Sequence, residues 1–236
     1  MQYEIKFKPF SVLDVKLEPG ESIECENGAM AWMSENMEMD TNIGGSGHDK
    51  GFLGTLGKVA KNALTGENIF HNKYTASKGP GQIAFCQTFP GEILPFEIDA
   101  AHTIVAQKGA YFANTIGVVY DIFFQKKLGA GFFGGEGFIM QKFSGQGIVF
   151  LSIGGGISQY DLGPGESMLV DTGYLAAMDA TCSIDIQTIK GVANVLLGGE
   201  GLFNTRVTGP GRIWLQTMPV SSIANTLAAF MPTSSN

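Results

Sequence analysis

Hydrophobic and polar residues alternate over short stretches along most of the chain, and glycine-rich turns separate these stretches. Residues 3–17 show the pattern first, and the predicted core positions there are Phe7, Phe10, Val12, Val15 and Leu17. A period of two is typical of a half-buried β-strand. The alternation therefore predicts an all-β fold that begins close to the N-terminus.

A strand-turn-strand pattern occupies Gly198–Pro219 near the C-terminus. Alternating residues are followed by a Gly-Pro-Gly turn at Gly209–Gly211, and a second apolar stretch runs over Ile213–Leu215. Two short strands separated by a tight glycine turn are typical of a β-hairpin. We therefore predict a hairpin here.

Related patterns recur upstream, which indicates internal duplication. Leu17–Ser22 (LEPGES) returns as Leu162–Ser167 (LGPGES), with a shorter echo at Phe89–Glu92, and the strand-turn-strand pattern recurs at Gly66–Ile83 and Gly135–Val149. Small β repeats of this kind cannot bury enough surface alone and must pack together. The repeats predict one domain over residues 1–236 made of three units, at about 3–95, 96–165 and 166–219.

Two segments depart from the repeat. Gly44–Leu64 is an insertion in the first unit, glycine-rich and then helical in pattern, and we interpret it as a candidate surface for a protein partner. Residues 220–231 predict a C-terminal helix with Ile223, Leu227 and Phe230 on one face. That face predicts docking on the β-structure or on a neighbouring chain.

Charge and composition narrow the class of protein. The 236 residues carry a formal net charge of -7, which argues against DNA as a partner and disfavours RNA. The three cysteines are widely spaced, which predicts reduced thiols. No apolar run reaches the length of about 18 residues that a transmembrane helix needs. We therefore expect a cytoplasmic protein without a transmembrane segment, and peripheral membrane association stays open.

The sequence Gly199–Pro219, GEGLFNTRVTGPGRIWLQTMP, together with the Pro-Gly-Glu turns and the C-terminal helix, resembles the mitochondrial biogenesis family named for altered inheritance of mitochondria. The likeness extends from about Tyr3 to Phe230. It implies three tandem modules similar to the tryptophan RNA-binding attenuation protein, each a short double-stranded β-helix. It also implies a homo-oligomer, with a trimeric ring of chains favoured, and it carries over no catalytic residues.

Charged residues recur at matching places in the three strand-turn-strand patterns. The acidic positions are Glu67, Glu136 and Glu200, and the basic positions six residues later are Lys73, Lys142 and Arg206. An even spacing places both sets on one strand face. The favoured interpretation is solvated faces with cross-strand ion pairs, and the alternative is a ring of charge that binds a polyanion or an ion.

Familiar cofactor motifs fail at required positions. Residues 129–134 fit GxGxxG but run into a strand rather than a helix, and residues 51–59 place Val59 where a phosphate-binding loop needs a hydroxyl. The three histidines, His48, His71 and His102, show no metal-ligand spacing. No cofactor is therefore predicted.

Methionines are concentrated around Trp32, at Met30, Met33, Met37 and Met39. Such a group is typical of an irregular core or a subunit interface, and a soft metal or a lipid tail is the alternative. The leading hypothesis is a non-enzymatic oligomeric scaffold or binding protein. A small-ligand or RNA binder that uses clefts between modules, and an unrecognised enzyme, are the alternatives.

Overall fold

The computed structural model describes residues 1–43, 70–126, 137–188, 203–228 and 230. Antiparallel strands make up nearly all of the described chain, which confirms the all-β prediction. The predicted insertion at Gly44–Leu64 lies outside the described residues.

The strands form three successive groups of six, which we call units 1, 2 and 3. Strand β1, Gln2–Lys6, precedes them. Unit 1 contains β2 Val12–Leu17, β3 Ser22–Glu26, β4 Met30–Met33, β5 Met37–Ile43, β6 Phe70–Ala76 and β7 Gly81–Cys86. Unit 2 contains β8 Gly91–Ile98, β9 Ile104–Gln107, β10 Tyr111–Thr115, β11 Val118–Lys126, β12 Phe138–Gly145 and β13 Gly147–Gly154. Unit 3 contains β14 Ile157–Leu162, β15 Ser167–Asp171, β16 Leu175–Asp179, β17 Ser183–Thr188, β18 Phe203–Thr208 and β19 Gly211–Gln216.

The same pairing scheme occurs in every unit. The sixth strand pairs with the first and the third, and we call this group half-sheet A: β2-β7-β4, β8-β13-β10 and β14-β19-β16. The fifth strand pairs with the second and the fourth, and we call this group half-sheet B: β3-β6-β5, β9-β12-β11 and β15-β18-β17. Each unit therefore consists of two three-stranded half-sheets.

The predicted hairpin at Gly198–Pro219 is wrong. Strands β18 and β19 follow each other in sequence, but β18 pairs with β15 and β17 whereas β19 pairs with β14 and β16. The Gly-Pro-Gly turn thus carries the chain from half-sheet B to half-sheet A. Each strand buries its apolar face better between longer-range partners than against its neighbour in sequence, so proximity along the chain does not decide the pairing.

Neighbouring units share sheets. Strand β3 of unit 1 pairs with β10 of unit 2, and β9 of unit 2 pairs with β16 of unit 3. Two six-stranded sheets result, each with half of its strands from either unit. Half-sheet A of unit 1, extended by β1, remains a four-stranded sheet, and half-sheet B of unit 3 remains a three-stranded one.

The hydrophobic cores also cross the unit boundaries. One cluster joins Leu13 and Phe85 of unit 1 to Phe150 of unit 2. A second joins Phe143 of unit 2 to Trp214 of unit 3, and a third contains residues of units 2 and 3 as well. Because apolar burial of this kind is the main favourable term in folding, the units stabilise each other.

Two sequence predictions about burial are corrected at the N-terminus. Phe7 and Phe10 are exposed, whereas Val12, Val15 and Leu17 are buried as expected. Strand β1 ends at Lys6, and Phe7 has a positive φ of 63°, so a turn interrupts the alternation that had suggested continuous strands. The period of two therefore holds only within each strand.

The C-terminal helix α1 spans Val220–Ala228 and follows the last strand of unit 3. It contacts the short helical turn Thr172–Tyr174, which comes directly after β15. None of its described residues is fully buried, and Leu227 is exposed. None of the helical segments in the described ranges has the length and apolar character needed to span a bilayer.

Candidate functional site

The three basic positions singled out in the sequence lie at equivalent points of the fold. Lys73, Lys142 and Arg206 are on β6, β12 and β18, the central strand of each half-sheet B. These strands belong to three different sheets, so the structure does not gather the three side chains on one sheet. Their acidic counterparts Glu67, Glu136 and Glu200 lie outside the described residues.

An aspartate stands opposite each basic residue on the neighbouring strand. The register partners are Asp40 for Lys73, Asp121 for Lys142 and Asp185 for Arg206. Directly opposed residues of an antiparallel pair have their Cβ atoms about 5 Å apart, which suits opposite charges. This recurrent pairing supports solvated faces with local charge balance rather than a surface that attracts polyanions.

The junction between units 1 and 2 holds a buried group of polar side chains. The hydroxyl of Tyr111 donates a 2.6 Å hydrogen bond to Oδ1 of Asn114, whose side-chain nitrogen lies 3.4 Å from the carboxylate of Glu24. The ring of His71 is stacked on that of Tyr111 and lies 4.8 Å from that of Tyr120. Neither ring nitrogen of His71 has a hydrogen-bond partner among the described residues.

Burial sets the ionisation of this junction. It lowers the pKa of His71 to about 4 and raises the pKa of Glu26, its register partner on β3, to about 7. It also raises the pKa of Cys25 to about 12, so this thiol stays protonated at neutral pH. A protonated, buried thiol is a poor nucleophile, and the arrangement has no activated cysteine.

The junction between units 2 and 3 holds a cleft of about 190 Å³. Arg212 lies at its edge, where the guanidinium donates hydrogen bonds of 2.9 and 3.1 Å to the carboxylate of Asp179. The same guanidinium lies 5.1 Å from the ring centroid of Trp214. His102 lines the cleft and contacts Asp99 at 2.9 Å. The lining of the cleft thus combines Arg212 and the acidic residues Glu97 and Asp179 with apolar residues such as Phe96 and Ile98.

The unpaired edges of β4 and β15 are the third distinctive feature. The equivalents of β4 are β10 and β16, and those of β15 are β3 and β9. These equivalents pair with each other across the unit junctions, β10 with β3 and β16 with β9. Within the described ranges, β4 of unit 1 and β15 of unit 3 lack that partner. Both edges expose apolar side chains, namely Trp32, Met33 and Leu169. Exposed apolar edges are ready to accept another strand.

No group of three or more His, Cys, Asp or Glu side chains in the described ranges is placed to hold a metal ion. The three cysteines are free thiols, as the sequence predicted. The methionines near Trp32 divide between two environments, since Met37 is buried in the core of unit 1 while Met33 and Met39 are exposed.

The family assignment follows from the match over the repeated units. Residues 3–218, from β1 through β19, match the family described as mitochondrial biogenesis AIM24. The chain belongs to this family. The sequence resemblance predicted the same family, so that prediction is confirmed.

Two proteins of Streptococcus pyogenes are similar to this chain. An uncharacterised protein of Streptococcus pyogenes serotype M6 is 29% identical over 229 residues, which covers 96% of this chain and 89% of that protein. The X-ray crystal structure of a protein from Streptococcus pyogenes has a TM-score of 0.77 and 23% sequence identity, with 98% of this chain and 99% of that chain covered. At this identity the structural likeness establishes the fold alone.

Sequence reasoning missed the unit junctions as sites. The histidine stack needs β6 of one unit beside β10 of the next, and that neighbourhood depends on the pairing of β3 with β10. In the repeats His71 aligns with Met140 of unit 2 and with Asn204 of unit 3, so this position carries a different kind of side chain in each unit.

Proposed function

We propose that this AIM24-family protein is a non-enzymatic oligomeric scaffold in which copies join head to tail, with a homotrimer favoured. Each unit is taken as a module similar to that of the tryptophan RNA-binding attenuation protein, so three chains would form a ring of nine. A head-to-tail contact between unlike surfaces closes into a ring when the rotation permits.

One observation carries the proposal: the first and the last unit each have one half-sheet that is not joined to a half-sheet of another unit. Every junction between units inside the chain completes a six-stranded sheet, whereas the four-stranded sheet of unit 1 and the three-stranded sheet of unit 3 stay separate. Only another pair of half-sheets can complete them in the same way, and a second copy offers both.

Light scattering coupled to size-exclusion chromatography tests the proposal. A trimer has a mass of about 75 kDa, three times the 25.1 kDa of one chain. A single 25 kDa species that persists across micromolar concentrations would contradict the scaffold.

The cleft between units 2 and 3 favours small-ligand binding as a second candidate. Its volume of about 190 Å³ is below the ordinary range for drug-sized ligands, so it suits a molecule no larger than an amino acid. A ligand carboxylate would contact Arg212, whose guanidinium it would share with Asp179. Calorimetry with the twenty amino acids tests this, with Arg212→Met as the control that abolishes any heat of binding.

RNA binding and catalysis are weaker alternatives. The polyanion interpretation needs free cationic faces, and the aspartates opposite Lys73, Lys142 and Arg206 reduce the local positive charge. Salt-dependent RNA binding that weakens in the Lys73→Ala/Lys142→Ala variant would support the polyanion interpretation. The family match supplies no activity from which a reaction could be argued.

A further inference from the structure

The strand registers align the three units residue by residue, and this alignment shows what the open edges resemble. Trp32 and Met33 of β4 occupy the positions of Ala113 and Asn114 in β10. They also occupy those of Ala177 and Met178 in β16. The four equivalents in units 2 and 3 are completely buried, whereas Trp32 is 54% and Met33 37% exposed. These two positions are therefore buried in units 2 and 3 and exposed in unit 1.

Strand β15 shows the complementary situation. Leu169 lies opposite Arg206, just as Glu24 lies opposite Lys73 and Val105 opposite Lys142. Val105 is fully buried under the neighbouring unit, but Leu169 is 57% exposed. A leucine on an exposed strand edge is a liability unless a partner covers it.

Other strand edges do not have this character. Strands β5, β11 and β17 lie at the edge of their half-sheets in all three units, so their lack of a second partner belongs to the fold. Strands β8 and β14 are also edges although β2, their equivalent in unit 1, is internal, but the outer partner of β2 is β1, which precedes the units. Strands β4 and β15 differ from them, because the equivalents of both are paired with a strand of a neighbouring unit.

An exchange of aromatic residues shows that β4 is built for the same contact. In units 2 and 3 an alanine on the strand equivalent to β4 opposes an aromatic residue, as Ala113 opposes Phe150 and Ala177 opposes Trp214. In unit 1 the order is reversed, and Trp32 opposes Ala84. The exchange keeps the pair volume similar, as packing in a covered interface requires.

The cover over this aromatic residue comes from the preceding unit. Phe96 on β8 contacts Trp214 edge-on at 5.0 Å, and Val15 on β2 shares a core with Phe150. The equivalent residue on β14 of unit 3 is Tyr160, since it lies opposite Ile213 as Phe96 lies opposite Val149. Tyr160 is 44% exposed in the single chain.

We infer that β15 of one copy pairs antiparallel with β4 of the next, with Trp32 opposite Val170 and Met33 opposite Leu169, and that Tyr160 covers Trp32 across this contact. This register is the one found at both junctions inside the chain. There the equivalents of Trp32 lie opposite the equivalents of Val170, Ala113 opposite Cys25 and Ala177 opposite Ala106. The inference rests on the proposed scaffold and names its interface.

Helix α1 lies beside this interface. It contacts the turn Thr172–Tyr174 at the end of β15, and Gly173 approaches Ser221 and Pro219. Val220 and Leu227 of this helix are both exposed. The chain has no further unit after unit 3 in the described residues, and α1 follows at that point.

Pairs of cysteines test the register directly. Directly opposed residues of antiparallel strands have Cα atoms about 4.5 to 5.5 Å apart, within the range that a disulfide bridges. We expect the in-register variants Trp32→Cys/Val170→Cys and Met33→Cys/Leu169→Cys to form covalent oligomers under mild oxidation. The crossed pairs Trp32→Cys/Leu169→Cys and Met33→Cys/Val170→Cys place the thiols on opposite faces and serve as matched controls.

All variants carry Cys86→Ser, because Cys86 is only half-buried and the other native thiols are buried. Cross-linking should exceed that of the crossed pairs at least tenfold on denaturing gels. Equal cross-linking in all four variants would overturn the register. A bond formed within one chain would overturn the intermolecular contact, since it would mean that β15 reaches β4 of the same copy.

Failure of the interface and failure of the scaffold give different results. An oligomer by light scattering without in-register cross-links keeps the scaffold and overturns this interface. A monomer by light scattering removes both. The two in-register pairs replace different residues, so one misfolded variant leaves the other as a test.

Fluorescence of Trp32 gives a readout without new cysteines. In the Trp214→Phe background Trp32 is the only tryptophan, because the chain has two. We expect its emission to shift to the red on dilution of the oligomer and on Tyr160→Ser substitution at high concentration. Emission that is already solvent-like at high concentration, and unchanged by either treatment, would overturn the cover of Trp32 by Tyr160.

Discussion

The imidazole of His71 lies parallel to the phenol ring of Tyr111, with 4.5 Å between the ring centroids and 8° between the planes. His71 belongs to unit 1 and Tyr111 to unit 2, so the stack crosses a unit junction. Stacking continues from Tyr111 to Phe143, whose centroid is 5.8 Å away. A neutral histidine packs there as an aromatic ring, and a charged one would be buried without a hydrogen-bond partner in the part of the chain that the structure describes.

Acid should weaken this junction through His71. Its pKa is about 4 in the folded protein, against 6.5 for a free side chain. The unfolded chain therefore binds more protons between these values, and stability falls as the pH drops from 6.5 to 4, by roughly 3 kcal/mol at most. Urea unfolding of Glu26→Gln over this range should show the fall, and Glu26→Gln/His71→Met should lack it. Equal slopes in the two variants would contradict the assignment to His71.

Glu26 should have the opposite effect. Burial raises its pKa to about 7 from 4.5, so the folded protein binds more protons between these values. Stability contributed by the protonated carboxyl is then lost as the pH rises from 4.5 to 7. The His71→Met variant should show this loss, and adding Glu26→Gln should abolish it. The double variant copies Gln107 and Met140, the equivalent pair of unit 2, which favours correct folding.

Truncation of Phe150 should destabilise the protein strongly. The side chain is fully buried in a core shared by units 1 and 2, and Tyr3 contacts its ring edge-on at 4.9 Å. Phe150→Ala should cost about 3 to 5 kcal/mol of unfolding free energy, because it leaves a cavity that neither unit can fill alone. The matched control Phe10→Ala removes an exposed ring and should change stability by less than about 0.5 kcal/mol. A small effect of Phe150→Ala would mean that the units are not coupled through this core.

Alanine at the repeated Pro-Gly turns should be strained. Gly20 and Gly165 have φ values of 84° and 77°, with open space where a Cβ would lie. Each alanine substitution should therefore cost about 1 to 2 kcal/mol from backbone conformation alone. Gly109→Ala is the control, since that position also has open space but no positive φ. Thermal unfolding should show a lowered melting temperature for the Gly20→Ala and Gly165→Ala variants only.

The fold class was accessible from the sequence because strand periodicity and glycine turns are local properties. The positions of Val12, Val15 and Leu17 in the core follow from alternation, and they are buried as predicted. Phe7 and Phe10 departed from that prediction, because they lie in the turn between β1 and β2, where the alternation of a strand does not apply. The repeated Pro-Gly sequences were likewise predicted to be turns, and Gly20 and Gly165 have the positive φ values of such turns.

The sequence by itself determined the all-β class, the turn chemistry, the family and the recurrence of Lys73, Lys142 and Arg206 at one strand position. Only the tertiary structure decided which strands pair, since β18 and β19 adjoin in sequence but lie in different half-sheets. It also decided that His71 meets Tyr111 and that β4 and β15 are left open. The physical reason is that local propensity acts over a few residues, whereas pairing depends on burying apolar faces between strands far apart in the chain.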